Sequence, residues 1–318
     1  MRVLFASLAS AGHALPLVPL AVAAQAAGHE VHFAVGEEMH AALGRRGLAA
    51  FRPADAFYEI YADDLADDLA RLRPDLVVPG WGVPGVAVAA DRAGIASLWH
   101  GFGRLFPDGI GLARPAGDRP HVDVCPPSLQ DPAFVRSAER IPMRPVAARA
   151  EGGAPIVYLT FGTAFGSAEL IRTAVAGLAG LGLPVVVAAG RVPVDELDDL
   201  PSLVTVLPWA AQDRLLARAD LVVHHGGSGT TLGALAAGVP QLVLPQGADQ
   251  FANADTLVAA GAALQLRDGE VTAGAVAELA HRLRTGEHRD AARAVAGEIA
   301  RMPAPEDVAR DLVRYVRA

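Results

Sequence analysis

The chain has 318 residues, 52% of them apolar and 19% charged, which suits one large α/β domain or two ordinary ones and excludes a disordered chain. Its formal charge of 27 − 35 = −8 argues against a protein held on nucleic acid or anionic lipid by its net field. All 27 basic residues are Arg, so no lysine can serve a P-loop or form a Schiff base; the single cysteine, Cys125, permits no internal disulfide, C-x-x-C pair or cysteine-built zinc site and reads as inert.

Arg2 to Leu8 reads as a buried first strand rather than a signal peptide, because its apolar region is short and one Arg is a weak charged start. Ala9 to His13 reads as a tight loop, followed by a helix from Leu15 to Ala27 closed by Gly28. Pro16, Pro19 and Gln25 interrupt that stretch well short of the ~18 apolar residues that a membrane helix needs. A cytoplasmic protein without a membrane span is therefore expected. The strand-helix alternation continues through Glu30–Val35, Glu37–Arg46, Asp75–Val78, Gly85–Ala93 and Ile95–Trp99, and predicts a parallel sheet with helices on both faces. Between them, Asp63-Asp64-Leu65-Ala66-Asp67-Asp68-Leu69 has helical spacing and reads as a solvated face.

From 123 to 155 the text turns to proline (Pro126, Pro127, Pro132, Pro142, Pro145) and loses its period, which predicts an interdomain linker between a first domain over 1–122 and a second over 156–318. The second series has strands at Ile156–Phe161, Val185–Ala189, Leu203–Leu207, Leu221–His224 and Gln241–Leu244, with helices after Ser167, from Thr230 and near Asn253, and three helical stretches at the end. Two Rossmann-like halves follow, with a ligand expected beyond the carboxyl ends of their strands, in a cleft between them.

The segment richest in chemistry is His224-His225-Gly226-Gly227-Ser228-Gly229-Thr230-Thr231, which follows an apolar strand and opens a helix. Its glycines let a ligand approach the backbone, and the helix start favours an anion, so a phosphate is expected there. Taken with Trp209-Ala210-Ala211-Gln212, Gly238-Val239-Pro240, Pro245-Gln246-Gly247-Ala248-Asp249-Gln250 and Val157-Tyr158-Leu159-Thr160-Phe161-Gly162-Thr163, this stretch resembles the donor-binding half of nucleotide-sugar glycosyltransferases of the GT-B fold. The likeness is to the bacterial natural-product branch of family one, with weaker support from Gly12-His13-Ala14-Leu15-Pro16 and Cys125-Pro126-Pro127-Ser128-Leu129.

The resemblance implies an α/β fold of two Rossmann-like domains with an abbreviated first half. His225 would donate to the donor diphosphate, helped by Gly227, Ser228, Gly229 and Thr230, with Thr163 in the neighbouring loop. Asp249 and Gln250 would hold sugar hydroxyls, and Trp209, Ala210 and Gln212 would lie by the base and ribose. The family usually has Pro where Ala211 stands. His13 would be the general base that deprotonates the acceptor; the family's carboxylate partner is missing, since its position holds Gly80, and Asp91 and His100 are nameable substitutes. The segments after Ala56 and after Gly117 read as joins where relatives carry longer acceptor loops.

The expected activity is metal-independent, inverting transfer of a sugar from a UDP- or dTDP-linked donor to a small aglycone, with no cofactor and no nucleic-acid partner. No D-x-D triplet occurs in the chain, which fits that mechanism. Three other readings compete: an epimerase or hydrolase on the same scaffold, a donor-binding auxiliary protein without turnover, and a dehydrogenase. The dehydrogenase would rest on Gly227-Ser228-Gly229 but lacks the third glycine.

Overall fold

The structure, a computed structural model, describes residues 1–105, 119–145, 153–284 and 286–316. Two compact units divide the chain: Met1–Pro145 with Met302–Ala318, and Val146–Arg301.

In the first unit, β1 (Arg2–Ala6), β2 (Glu30–Ala34), β3 (Ala49–Phe51), β4 (Leu76–Pro79) and β5 (Ala96–Ser97) pair in parallel in the order β3-β2-β1-β4-β5. Val3 to Ala6 and all of β4 are buried, the signature of strands covered on both faces. After Leu98, β6 (Trp99–His100) pairs in parallel with β7 (His121–Asp123), which pairs with β8 (Arg140–Pro142). An isolated bridge between Gly80 and His100 links this three-stranded sheet to the end of β4.

The helices of this unit are α1 (Ala11–Ala14), α2 (Val18–Ala26), α3 (His40–Gly44), α4 (Ala66–Leu72), α5 (Pro84–Arg92) and α6 (Pro132–Val135). The acidic run forms a 3₁₀ turn and α4, which bury Leu65, Leu69 and Leu72, as its spacing predicts. Ala9–His13 is not wholly a loop, because Ser10 takes the extended N-cap conformation and starts helix at Ala11. The helix expected from Leu15 is a 3₁₀ turn until Val18, with Pro16 and Pro19 in first-turn positions where a missing N–H costs nothing.

The expected linker proves to be part of this unit up to Pro145. Pro127 opens a 3₁₀ turn, Pro132 opens α6 and Pro142 ends β8, and a charge ties the segment together: the buried Asp123 carboxylate accepts from Arg140 Nε (2.7 Å), Cys125 N (3.0 Å) and Gln130 Nε2 (2.9 Å). Burial raises the pKa of Asp123 against the opposing pull of Arg140. Removing either partner would strand a buried charge, a change that typically costs ~3–5 kcal/mol. The part of the linker at 146–152 lies outside the described residues.

In the second unit, β9 (Ile156–Thr160), β10 (Val185–Ala188), β11 (Val204–Leu207), β12 (Ala219–His224), β13 (Gln241–Val243) and β14 (Ala263–Gln265) form an all-parallel sheet in the order β11-β10-β9-β12-β13-β14. The order reverses between β9 and β12. Its helices are α7 (Ala168–Leu178), α8 (Gln212–Leu216), α9 (Ser228–Ala236), α10 (Gln250–Ala259), α11 (Ala273–Arg284) and α12 (Glu287–Arg301). Ser167 caps α7, its Oγ accepting from Leu170 N at 3.2 Å. Val157, Leu159, Val185, Val187, Leu221 and Val223 make the core with Ile171 and Val175 of α7 and Val276 and Leu283 of α11. At ~1.5–3 kcal/mol per fully buried aliphatic side chain, this layer dominates the unit's stability. Arg284 and Arg289 clamp Asp220 from α11 and α12 at 2.6 Å each.

The chain then returns to the first unit. There α13 (Pro305–Asp311) buries Pro305, Val308 and Ala309 against α2, and Arg144 N donates to Pro303 O at 2.8 Å. The second unit therefore ends at Arg301, short of the expected 318. The strands β3 and β14, three residues each, have too little alternation to be read beforehand.

Candidate active site

Every donor-side residue anticipated from the sequence lies in a loop or helix start at the carboxyl end of the second sheet. The reversal between β9 and β12 opens the crevice that parallel sheets use for ligands, and Gly162 and His225 follow those two strands.

His225 is held between two glycines. A Cβ on Gly162 would stand 2.8 Å from its Cε1, and one on Gly227 would stand 2.4 Å from its Nε2. Gly162 also has φ +71°, so two constraints meet on one residue. The ring's Nδ1 is buried with no partner in bonding geometry. Burial lowers its pKa to about 4, against a weaker opposite pull from the Thr160 backbone. At neutral pH it is an uncharged imidazole.

Its neighbour His224 is structural. It accepts at Nδ1 from Gly226 N (3.1 Å), so Nε2 carries the proton and donates to Gln241 Oε1 (2.8 Å). Burial, with the adjacent His225 ring, lowers its pKa to about 3. That bond curls the chain at Gly226, φ +91°, and aims the loop at the start of α9.

Gly227 stands at the N-cap of α9, and no side chain caps it. The helix start is therefore uncapped by any side chain, and Gly229 has open space where a Cβ would project. An anion is the natural complement. The helix begins at Ser228, two residues earlier than expected, since Ser228 and Gly229 form its first turn.

The pair expected to hold sugar hydroxyls behaves unequally. Asp249 is held by Ser228 Oγ (3.3 Å) and Asn253 Nδ2 (3.1 Å), with its pKa raised by burial, and it follows Ala248, a non-glycine residue at φ +52°. A left-handed alanine is strained, and such strain gathers at functional loops. Gln250, by contrast, is buried and its Oε1 accepts from Gln246 N (2.8 Å) and Gly247 N (3.2 Å). Its carbonyl oxygen shapes the loop and leaves only the amide nitrogen for a ligand.

Trp209 is 62% exposed, an apolar shelf beside Ala210 in the loop before α8. Gln212 turns back from that loop: Thr230 Oγ1 donates to its Oε1 (2.9 Å), and its Nε2 points to Gly229 O (3.4 Å). Both side chains brace α9 against α8. Thr163 is exposed in the loop after β9, and the adjoining Phe165 ring packs on Gly247, where a Cβ would come within 2.9 Å. Asn253 was not anticipated. From α10 its Nδ2 reaches Gly226 O (2.8 Å), Ser228 Oγ (3.3 Å) and Asp249 Oδ2, tying glycine loop, helix start and acidic loop together. Its helical spacing of four from Asp249 is the signal that could have found it.

In the first unit, His13 lies in α1, half-buried, directly after the β1 turn. Its ring meets Phe102 edge-on at 5.1 Å, and Phe102 leans on Trp81 at 5.7 Å. Burial lowers its pKa below the ordinary imidazole value. At Gly80 a Cβ would meet Leu17 Cδ1 at 3.2 Å, so a side chain there would need Leu17 to give by a few tenths of an ångström. Neither named substitute partners the ring: Asp91 pairs with Arg119, and His100 is buried with its Nδ1 on Gly101 O at 2.6 Å. What the ring does meet is Ser10, whose Oγ is 2.7 Å from Nδ1.

Comparison with known proteins follows the same lines. Residues 172–315 match the family described as erythromycin biosynthesis protein CIII-like, C-terminal domain. L-demethylnoviosyl transferase of Streptomyces niveus is 33% identical over 382 aligned positions, covering 100% of this chain and 99% of the relative. With 318 residues here against 382 positions, at least 64 have no counterpart in this chain, in keeping with a shortened N-terminal region. Among solved structures, the glycosyltransferase SnogD of Streptomyces nogalater superposes with a TM-score of 0.82 at 26% identity, covering 99% of both chains. The Streptomyces sp. SF2575 glycosyltransferase SsfS6, complexed with thymidine diphosphate, gives 0.77 at 25% identity with the same coverage. A relative alike along its whole length, and a superposition that takes in both units, leave one family for this sequence: the chain belongs to the bacterial natural-product glycosyltransferases of the GT-B fold.

Proposed function

We propose that this enzyme transfers a sugar, with inversion and without a divalent metal, from a dTDP- or UDP-linked donor to a hydroxyl of a small secondary-metabolite aglycone. The observation that carries the reading is the uncapped start of α9 beside the neutral His225, which supports a diphosphate there. The thymidine diphosphate on SsfS6 supports the donor class. In this reading His225 and the first-turn N–H groups of α9 stabilise the departing diphosphate, which is charge stabilisation by preorganised donors. Asp249 holds sugar hydroxyls and Trp209 carries the base. His13 takes the acceptor proton as the acceptor oxygen attacks the anomeric carbon and the bond to diphosphate breaks.

The test is turnover of dTDP-glucose or UDP-glucose with 7-hydroxycoumarin and with polyketide phenols, read by mass, with the anomeric configuration read by NMR. Activity in excess chelator should match activity with magnesium. A tenfold loss in chelator, ~1.4 kcal/mol of transition-state stabilisation, would give a metal the leaving-group role.

A further inference from the structure

We infer that Ser10 is the positioning residue for His13, its hydroxyl standing where the missing carboxylate would act on the imidazole. The inference rests on the reading of His13 as the base.

Ser10 occupies the N-cap of α1, where a serine side chain ordinarily accepts from a first-turn backbone N–H. Here it makes no such bond; the hydroxyl is turned instead onto His13 Nδ1 at 2.7 Å. The backbone fixes both ends of the contact, since His13 N (3.2 Å) and Ala14 N (2.9 Å) donate to Ser10 O, and Ser10 N donates to Leu8 O (2.8 Å). Phe102 packs on the ring from the loop after β6, and it is Ser10, on the ring's own segment, that binds it. The shift in the pKa of His13 has burial as its cause.

A base needs one nitrogen with a free lone pair. With Nδ1–H donating to Ser10 Oγ, Nε2 is left to take the acceptor proton, which then rests on Nε2 while the Nδ1–H bond persists. A hydroxyl that accepts the Nδ1–H does the carboxylate's work, but it can also donate, so it selects the tautomer less strictly, and it adds no charge to favour the imidazolium. The base thus works from a pKa below the ordinary imidazole value.

The experiment is ¹⁵N NMR of the imidazoles in the whole protein, with His13 assigned by its loss in His13→Ala, alongside kinetics of Ser10→Ala, Ser10→Thr and Ser10→Asp. We expect the Nδ1–H tautomer for His13 and a kcat about tenfold lower in Ser10→Ala with an unchanged donor KM. Ser10→Thr should stay within about threefold of wild type, and Ser10→Asp should move the acid limb of the pH profile up by about one unit. An Nε2–H tautomer, or a Ser10→Ala enzyme with unaltered kcat and pH profile, overturns the inference. The two hypotheses fail separately: full activity of His13→Ala removes the base itself, whereas an inactive His13→Ala beside an unimpaired Ser10→Ala removes only Ser10.

Discussion

His225 and Asp249 illustrate how differently two side chains in one site are expected to act. In the proposed function His225 offers an uncharged ring to a charged diphosphate, and a hydrogen bond to a charged group is worth ~1.5–3 kcal/mol. His225→Ala should therefore weaken dTDP binding by about 10- to 100-fold by calorimetry; an unchanged affinity would take His225 out of the diphosphate site. Asp249 is anchored through Ser228 and Asn253, which keeps one face of its carboxylate committed to the protein. Asp249→Ala should spare bare dTDP and weaken the sugar-linked donor. Equal losses for the two ligands would contradict a role at the sugar.

At the scale of elements, the glycines beside His225 carry the geometry of the loop, and one comparison isolates that effect. Gly162 and Gly28 both have positive φ, +71° and +86°, but a Cβ on Gly162 runs into His225 while one on Gly28 meets nothing within 4 Å. Both Gly→Ala variants should lose ~1 kcal/mol of stability to backbone strain. Gly162→Ala alone should also lose dTDP affinity, because it displaces the ring. If the two variants bind dTDP equally well, the ring's placement is not what the loop is for.

Much of this level was legible in the text. Parallel strands such as Val157 to Leu159 and Leu221 to Val223 announce themselves as unbroken apolar runs, and the glycine run after His225 announces the uncapped start of α9. What the text concealed were long-range polar contacts: Asn253 reaching Gly226, Gln250 spent on its own loop, Ser10 spent on His13 rather than on a cap. Composition misled once, where proline between 126 and 145 suggested a tether. The deciding contact, Asp123 with Arg140, spans seventeen residues and leaves no periodic trace.

For the whole molecule, the buried histidines set a pH limit on stability. His100, His224 and His225 have pKa values lowered to about 4, 3 and 4, all by burial in the first place. Unfolded, each would bind a proton near ~6.5, so the unfolded state holds more protons below that pH. Stability is therefore fully present above ~6.5 and is lost as pH falls toward the folded values, at up to ~1.4 kcal/mol per pH unit for each histidine. Urea midpoints should drop clearly between pH 7 and pH 5. Equal midpoints would mean that these rings are hydrated in the folded protein. No helix among the described residues is long and apolar enough to cross a membrane.

The docking of α13 on α2 imposes an order on synthesis. A ribosome delivers α2 nearly three hundred residues before its partner, so the surface of α2 that α13 covers must wait while the entire second unit emerges and folds. Contacts of such sequence separation form late and leave apolar surface open to aggregation meanwhile. A chain stopped after Arg301 should accordingly be made but precipitate, and a peptide of residues 302–316 supplied in trans should return it to the supernatant. A circular permutant that places 302–316 ahead of Met1 should close the first unit early and give the higher soluble yield.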